Sequence, residues 1–177
     1  MLFRSAKGLL FNEENVLLDP YSRAVTGQRK WGEKPEGGKD FEYRARVVKS
    51  SFDWGNIKQL EQPFEDLVIY ETHVRGYTKD KSSGVSAPGT FAGLKDKIPY
   101  LKDLGINAVE LMPIFEFDEM ESARVVDGVQ LYNYWGYNTV SFFAPNTSYA
   151  SEMERNHEGT ELKELIRALH ENGIEII

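Results

Sequence analysis

The sequence predicts an α/β fold: a β-rich N-terminal part of about 62 residues, followed by strands and helices in alternation. Three observations carry this reading. The run "LVIYETHV", Leu67 to Val74, is β-branched and suits a strand buried on both faces. Two later segments repeat apolar residues at steps of three and four, the mark of amphipathic helices. From residue 63 to 177 the order is strand, helix, strand, helix, strand, the signature of right-handed parallel crossovers. An open parallel sheet and the first part of a (β/α)8 barrel both begin this way, and length does not separate them, because a barrel takes ~250 residues.

Taken in order, residues 1–62 hold short apolar patches such as "VLLD" and "FEYRARVV", split by the turn signal Gly37-Gly38. In the second patch Phe41, Tyr43, Ala45 and Val47 alternate with charged residues, which predicts a strand with those four inward. The polar, Pro-containing "SSFDWGNIKQLEQPF" is a plausible junction, so the domains are read as 1–62 and 63–177. After the strand at Leu67–Val74, Thr90 is a candidate N-cap for a helix carrying Phe91, Leu94, Ile98, Leu101 and Leu104, with Gly105 as its stop. Pro99 falls inside that pattern and predicts a bend. A second strand, "INAVELMPIF", closes at Pro113. A second helix, about Thr160 to Asn172, has Leu162, Leu165, Ile166 and Leu169 on one face, and "IEII" opens a third strand. Between them, Phe115 to Gly159 reads as a connection far above the usual ~2–6 residues, and a connection of that length is normally functional.

Composition narrows the partners. The chain has 177 residues, 41% apolar, with a formal charge of −7 and a pI near 5.1, a balance that argues against nucleic acid or an anionic membrane and suits a neutral ligand. It has no Cys, which excludes disulfides and thiolate metal sites, and the default setting is cytoplasmic. The N-terminus lacks the pattern of a signal peptide, and no stretch reaches the ~18 apolar residues of a membrane span. Asn146-Thr147-Ser148 matches a glycosylation sequon, but no secretory cue accompanies it.

Glycoside hydrolysis is a natural chemistry for a neutral ligand and needs two carboxylates, roughly 5–10 Å apart. The candidates at strand ends are Glu71, Glu110, Glu116 and Asp118. The favoured reading is nevertheless structural: Glu116, Asp118, Glu119 and Glu121 form a solvated acidic loop, and Glu71 and Glu110 pair with an interior Arg or His. His73, His157 and His170 share no ligand spacing, so no metal is expected. His170 is expected to face solvent, His73 to be a satisfied interior group, and Arg75 either its neighbour or the ion-pair partner of a carboxylate elsewhere. "GVSAPGT" lacks the Lys-Ser/Thr pair of a phosphate loop. The densest signal lies in Leu131–Ala150, where seven of twenty residues are aromatic. Phe142 and Phe143 are expected in the core under the long connection. Tyr132, Tyr134, Trp135 and Tyr137 have apolar faces and polar tips that suit packing on a sugar ring, with Gly136 allowing close backbone approach.

The series "LVIYETHVRGYT", "GTFAGLKDKIPYLKDLGINAVELMPIFEF", "YNYWGYNTVSFFAPNTSYAS" and "GTELKELIRALHENGIEII" resembles the early barrel of the α-amylase superfamily, closest to isoamylase-type glycogen debranching enzymes. Upstream, "KGLLFNEENVLLDPYSRAVTGQ" and "SSFDWG" resemble the end of the family-48 carbohydrate-binding β-sandwich that precedes such barrels. The resemblance therefore implies the end of a β-sandwich followed by three strands and two helices of an incomplete (β/α)8 barrel. It implies an α-glucan substrate, hydrolysed at α-1,6 branch points with retention and without a cofactor. The nucleophile Asp, acid/base Glu and third Asp lie on the fourth, fifth and seventh barrel strands of that family. This sequence reaches the third, and none of Glu71, Glu110, Glu116 or Asp118 matches a catalytic position. The resemblance thus implies an N-terminal part of a longer enzyme, inactive alone and prone to self-association through an open sheet edge. Tyr137 in "YWGYN" matches the platform that stacks on the sugar next to the cleaved bond, with Asn138, Trp135 and Tyr134 beside it. Pullulanases, branching enzymes and maltooligosyl-trehalose hydrolases share these early elements, and a non-catalytic glucan-binding module is the alternative outside the enzymes.

Overall fold

The computed structural model describes residues 17–33, 43–49, 51–152 and 157–177. Its centre is a three-stranded parallel sheet of β1 (Ile69–Thr72), β2 (Ala108–Leu111) and β7 (Glu175–Ile176), in the order β1-β2-β7. The predicted succession of parallel strands is present. Tyr70, Val109 and Ile176 lie side by side in register and pack on the helical side. Asn107 fastens the start of the sheet: its Oδ1 accepts from the Val68 amide at 2.7 Å and its Nδ2 donates to the Asp66 carbonyl at 2.9 Å.

The expectation that Leu67–Val74 is buried on both faces does not hold. The strand is four residues long, and Ile69, Glu71 and Glu110, which alternation and register put on one face of the sheet, are exposed. Glu71 and Glu110 are in-register neighbours there, and among the described residues neither makes the ion pair with an Arg or His that the sequence suggested.

The helices cover the other side. His73 caps the short α1 (Val74–Thr78), its Nδ1 accepting from the Gly76 amide. Thr90 caps α2 (Phe91–Lys95) as expected, accepting from the Gly93 amide. The bend expected at Pro99 is a complete break: α2 stops, and α3 (Ile98–Asp103) starts with Pro99 in its first turn. That position suits a residue with no N–H to donate. Phe91, Leu94, Ile98 and Leu101 still reach the core across the break, and Gly105 ends α3 at φ +83°. The long α4 (His157–Glu171) packs Leu165 and Leu169 into the same cluster with Val109 and Ile174, and its buried Glu161 accepts from the amides of Ser151 and Ala92. His170 is half-buried beside Glu175 at 3.5 Å rather than facing solvent, because the chain turns at Asn172-Gly173 and brings β7 back along the helix.

The segment from Phe115 to Gly159 is not a bare loop. It contains β3 (Phe115–Phe117), which pairs antiparallel with β6 (Thr139–Pro145), and a separate hairpin of β4 (Arg124–Val126) and β5 (Val129–Leu131). The hairpin turn Asp127-Gly128 has positive φ at both residues, as a two-residue turn of this kind requires. Along β6, Ser141 and Ala144 point inward while Phe142 and Phe143 are 66% and 53% exposed, so those two rings are not core. Phe143 stacks instead on Tyr21 at 5.6 Å, and Tyr149 and Phe117 fill the interior under the segment.

Residues 17–33 run along this inserted layer. Val25 makes an isolated antiparallel bridge to Ala45. The inward face expected for Phe41–Val47 holds at Tyr43, half-buried beside an exposed Arg44, and reverses beyond it: Ala45 is exposed and Val47 98% exposed, while Arg46 turns inward to the buried carboxylate of Glu158. A buried carboxylate needs a charged partner more than the strand needs its alternation. Phe41 lies outside the described residues, as does the Gly37-Gly38 turn.

Candidate functional site

The aromatic stretch between β5 and β6 has no ladder of its own, so side chains must hold it. Asn133 donates its amide to the Glu119 carbonyl at 2.9 Å. Tyr134 lies flat on His73, ring centroids 4.1 Å apart and 7° from parallel, and its carbonyl is 2.8 Å from His73 Nε2. Because Nδ1 of His73 accepts from Gly76, the neutral ring carries its proton on Nε2 and donates it to that carbonyl. Burial holds the His73 pKa below its ordinary value, which favours this neutral form. His73 is thus the satisfied interior group that the sequence suggested.

Gly136 follows at φ +77° with its backbone directly over the Phe117 ring. That geometry turns the next side chains outward: Trp135 is 55% exposed and Tyr137 70% exposed. Asn138 donates from Nδ2 to Glu121 Oε2. The result is a ridge of outward rings beside an open groove of about 670 Å³. Tyr134 and Asn138 line that groove; Trp135 and Tyr137 are not among its lining residues and stand on the ridge. Tyr132, Gln130, Arg124 and Trp31 complete the walls.

Aromatic faces next to amides and a guanidinium suit a neutral polyhydroxylated ligand: rings cover its apolar patches while polar groups bond its hydroxyls. Hydrolysis is another matter. Among the described residues, Glu121 is the one carboxylate in the groove lining, where glycosidic cleavage calls for two. Among the described residues no group of three or more acidic or His side chains could hold a metal ion, and no helix is long and apolar enough to cross a membrane.

The acidic run behind the groove is not a solvated loop. Glu116 and Glu119 are fully buried; Asp118 is partly buried and Glu121 exposed. Glu116 Oε2 accepts from the Thr147 amide at 2.8 Å, and Glu119 Oε1 accepts from Ser148 Oγ. Loss of water pushes the Glu119 pKa up to about 7, with Asp118 adding to the shift, and raises Glu116 well above the carboxylate range. These carboxyls face the β3–β6 layer and residues 27–29 rather than the groove, so they serve packing.

The model of the family "Alpha amylase, catalytic domain" matches residues 47–177. The chain belongs to this alpha-amylase family. Among relatives, it is 43% identical over 176 residues to isoamylase 3, chloroplastic, of Oryza sativa subsp. japonica, covering 97% of the chain and 22% of the relative. It is 39% identical over 183 residues to isoamylase 1, chloroplastic, of Arabidopsis thaliana (99% and 23%) and 37% identical over 190 residues to a glycogen debranching enzyme of Yersinia enterocolitica (99% and 28%). A solved pullulanase type I of Bacillus subtilis str. 168, complexed with maltose, superposes with a TM-score of 0.69 at 28% identity, covering 90% of this chain and 22% of that one. The chain spans about a quarter of the length of the curated relatives it matches.

Within this chain, the four residues singled out by sequence lie, with Gly136, in one continuous turn, Tyr134–Asn138, on the surface. Sequence reasoning missed two parts of the wall. The hairpin bearing Arg124, Gln130 and Leu131 was signalled by Asp127-Gly128 between β-branched residues, a standard turn cue. Trp31, from "RKWGE", carried no local signal at all.

Proposed function

We propose that this chain supplies one wall of the substrate cleft of an α-glucan debranching enzyme that hydrolyses α-1,6 branch points of glycogen-type polysaccharides. The observation that carries the reading is the exposed ridge of Tyr134, Trp135 and Tyr137 beside a groove, in a chain 37–43% identical to isoamylases and a glycogen debranching enzyme. In this reading Tyr137 stacks on a glucose ring, Trp135 extends the platform, and Tyr134 and Asn138 bond sugar hydroxyls from the groove side. The parallel order β1-β2-β7 suits the first third of a (β/α)8 barrel over residues 63–177, preceded by the end of a carbohydrate-binding β-sandwich over 1–62. A cytoplasmic setting, and self-association along the exposed sheet, are part of the same proposal.

The reaction's carboxylates are not assigned to this chain. Glu71 and Glu110 lie on the sheet face, and Glu116 and Glu119 are sealed in packing. The chain alone is therefore expected to release no reducing ends from glycogen. Release that is abolished by substituting a carboxylate within residues 17–177 would overturn this assignment. The pullulanase superposition favours one neighbouring reading, cleavage of α-1,6 links in pullulan. Comparing products of a full-length protein containing this sequence on glycogen and on pullulan separates the two.

A further inference from the structure

The ridge has no strand ladder to order it, yet a binding platform gains affinity from being rigid before the ligand arrives. Its support comes from residues 27–33, upstream of the matched family region 47–177. Gln28 donates from Nε2 to Asp118 Oδ1 and accepts at Oε1 from the Glu119 amide at 3.5 Å. The Arg29 amide donates to Thr147 Oγ1 at 3.1 Å. A side chain at Gly27 would collide with Thr147 and Glu116, and one at Gly32, which sits at φ +74°, would come within 2.8 Å of the Tyr132 ring. The segment is therefore pressed against the layer at several points.

Trp31 is the centre of the contact. Its ring lies 7° from parallel to Tyr149 at 6.1 Å and meets Tyr134 and Phe117 edge-on at 6.3 and 5.9 Å. The Arg75 guanidinium sits over it at 4.4 Å. Protein neighbours thus surround much of the indole, and its half-buried remainder forms part of the groove wall. It meets Tyr134, which stacks on His73, and Phe117, its other edge contact, lies against Gly136. Both ends of the Tyr134–Tyr137 turn are held through one residue.

We infer that Trp31, with Arg75 over its face, is a positioning residue that braces the aromatic ridge, so that the glucan wall is completed by the segment preceding the barrel. This rests on the reading of the ridge as a glucan platform. It means that part of the effect of this groove-lining residue on sugar affinity runs through the order of the ridge.

The test uses the whole 177-residue chain, titrated calorimetrically with maltoheptaose, together with amide hydrogen exchange. Trp31→Ala is expected to weaken binding about tenfold, as a platform that must order on binding would. It should also speed exchange over residues 132–138 while Val109 and Leu111 in β2 stay protected. Trp31→Phe, which keeps a ring, should restore affinity to within about threefold. Arg75→Met, which removes only the guanidinium over the indole, should speed exchange over 132–138 by a smaller factor, and it serves if Trp31→Ala does not fold. Unchanged maltoheptaose affinity in folded Trp31→Ala would overturn the inference. Unchanged exchange over 132–138 in Trp31→Ala, or in Arg75→Met if the first variant is unfolded, would do the same. If the parent chain itself does not bind maltoheptaose, the platform reading fails, and exchange alone decides whether Trp31 is a brace.

Discussion

Gly136 sits with its backbone against the ring of Phe117, at φ +77°, and a Cβ added there would lie 2.5 Å from the ring. The pair sets the height and direction of the ridge: the buried phenyl is the floor and the glycine is the point where the chain turns outward. Gly136→Ala must adopt an unfavourable φ and displace a packed ring, so urea unfolding should show a loss of about 2–4 kcal/mol. Maltoheptaose affinity should fall in the same variant.

The core itself yields a sharp contrast between phenylalanines. Phe117→Ala removes a fully buried ring and should cost about 3–5 kcal/mol. Phe142→Ser removes one that is 66% exposed and should change stability by less than about 0.5 kcal/mol. Phe143→Ser loses its stack on Tyr21 and should cost about 0.5–1 kcal/mol. Equal losses at Phe117 and Phe142 would contradict the observed facing of β6.

These rings also show where sequence reading works. The parallel strands and the helix faces of Leu94, Leu101, Leu165 and Leu169 were legible because their partners lie in one repeating layer, so period alone assigns their sides. Phe142 and Phe143 were misplaced because a pair of adjacent aromatics has no period; the pairing of β6 with β3 decided the matter, and that contact spans some twenty-five residues. Glu116 and Glu119 looked solvated because an acidic run usually is, and their burial depends on Gln28, Thr147 and Ser148 arriving from elsewhere in the chain. The Tyr134–Asn138 turn was legible as a motif; Trp31 behind it was not, since its role exists only in three dimensions.

Buried Glu119 makes stability depend on pH in a direction opposite to that of a salt-bridged carboxylate. Its pKa rises from an ordinary 4.5 to about 7 on folding, so the folded state holds the proton more tightly. The stabilisation is complete below pH 4.5 and is lost as pH rises through about 7, up to about 3 kcal/mol in all. Glu116 shifts in the same direction. Glu119→Gln should remove the Glu119 share of this slope and leave that of Glu116, making the variant more stable than the parent at pH 8. Unfolding midpoints from pH 4 to 8 check it; identical slopes in parent and variant would show that Glu119 ionises normally.

In the proposed function the outward rings bind glucan. The direct measurement is a maltoheptaose titration of the folded chain followed by Trp fluorescence, since Trp135 stands beside Tyr137 on the ridge, with Tyr137→Ala in parallel. Tyr137 is 70% exposed, so its removal should leave stability within about 0.5 kcal/mol. A glucan-binding ridge should give a saturable change in the parent chain that disappears in Tyr137→Ala. A saturable change of equal size and midpoint in both proteins would contradict it, as would no change in a folded parent chain.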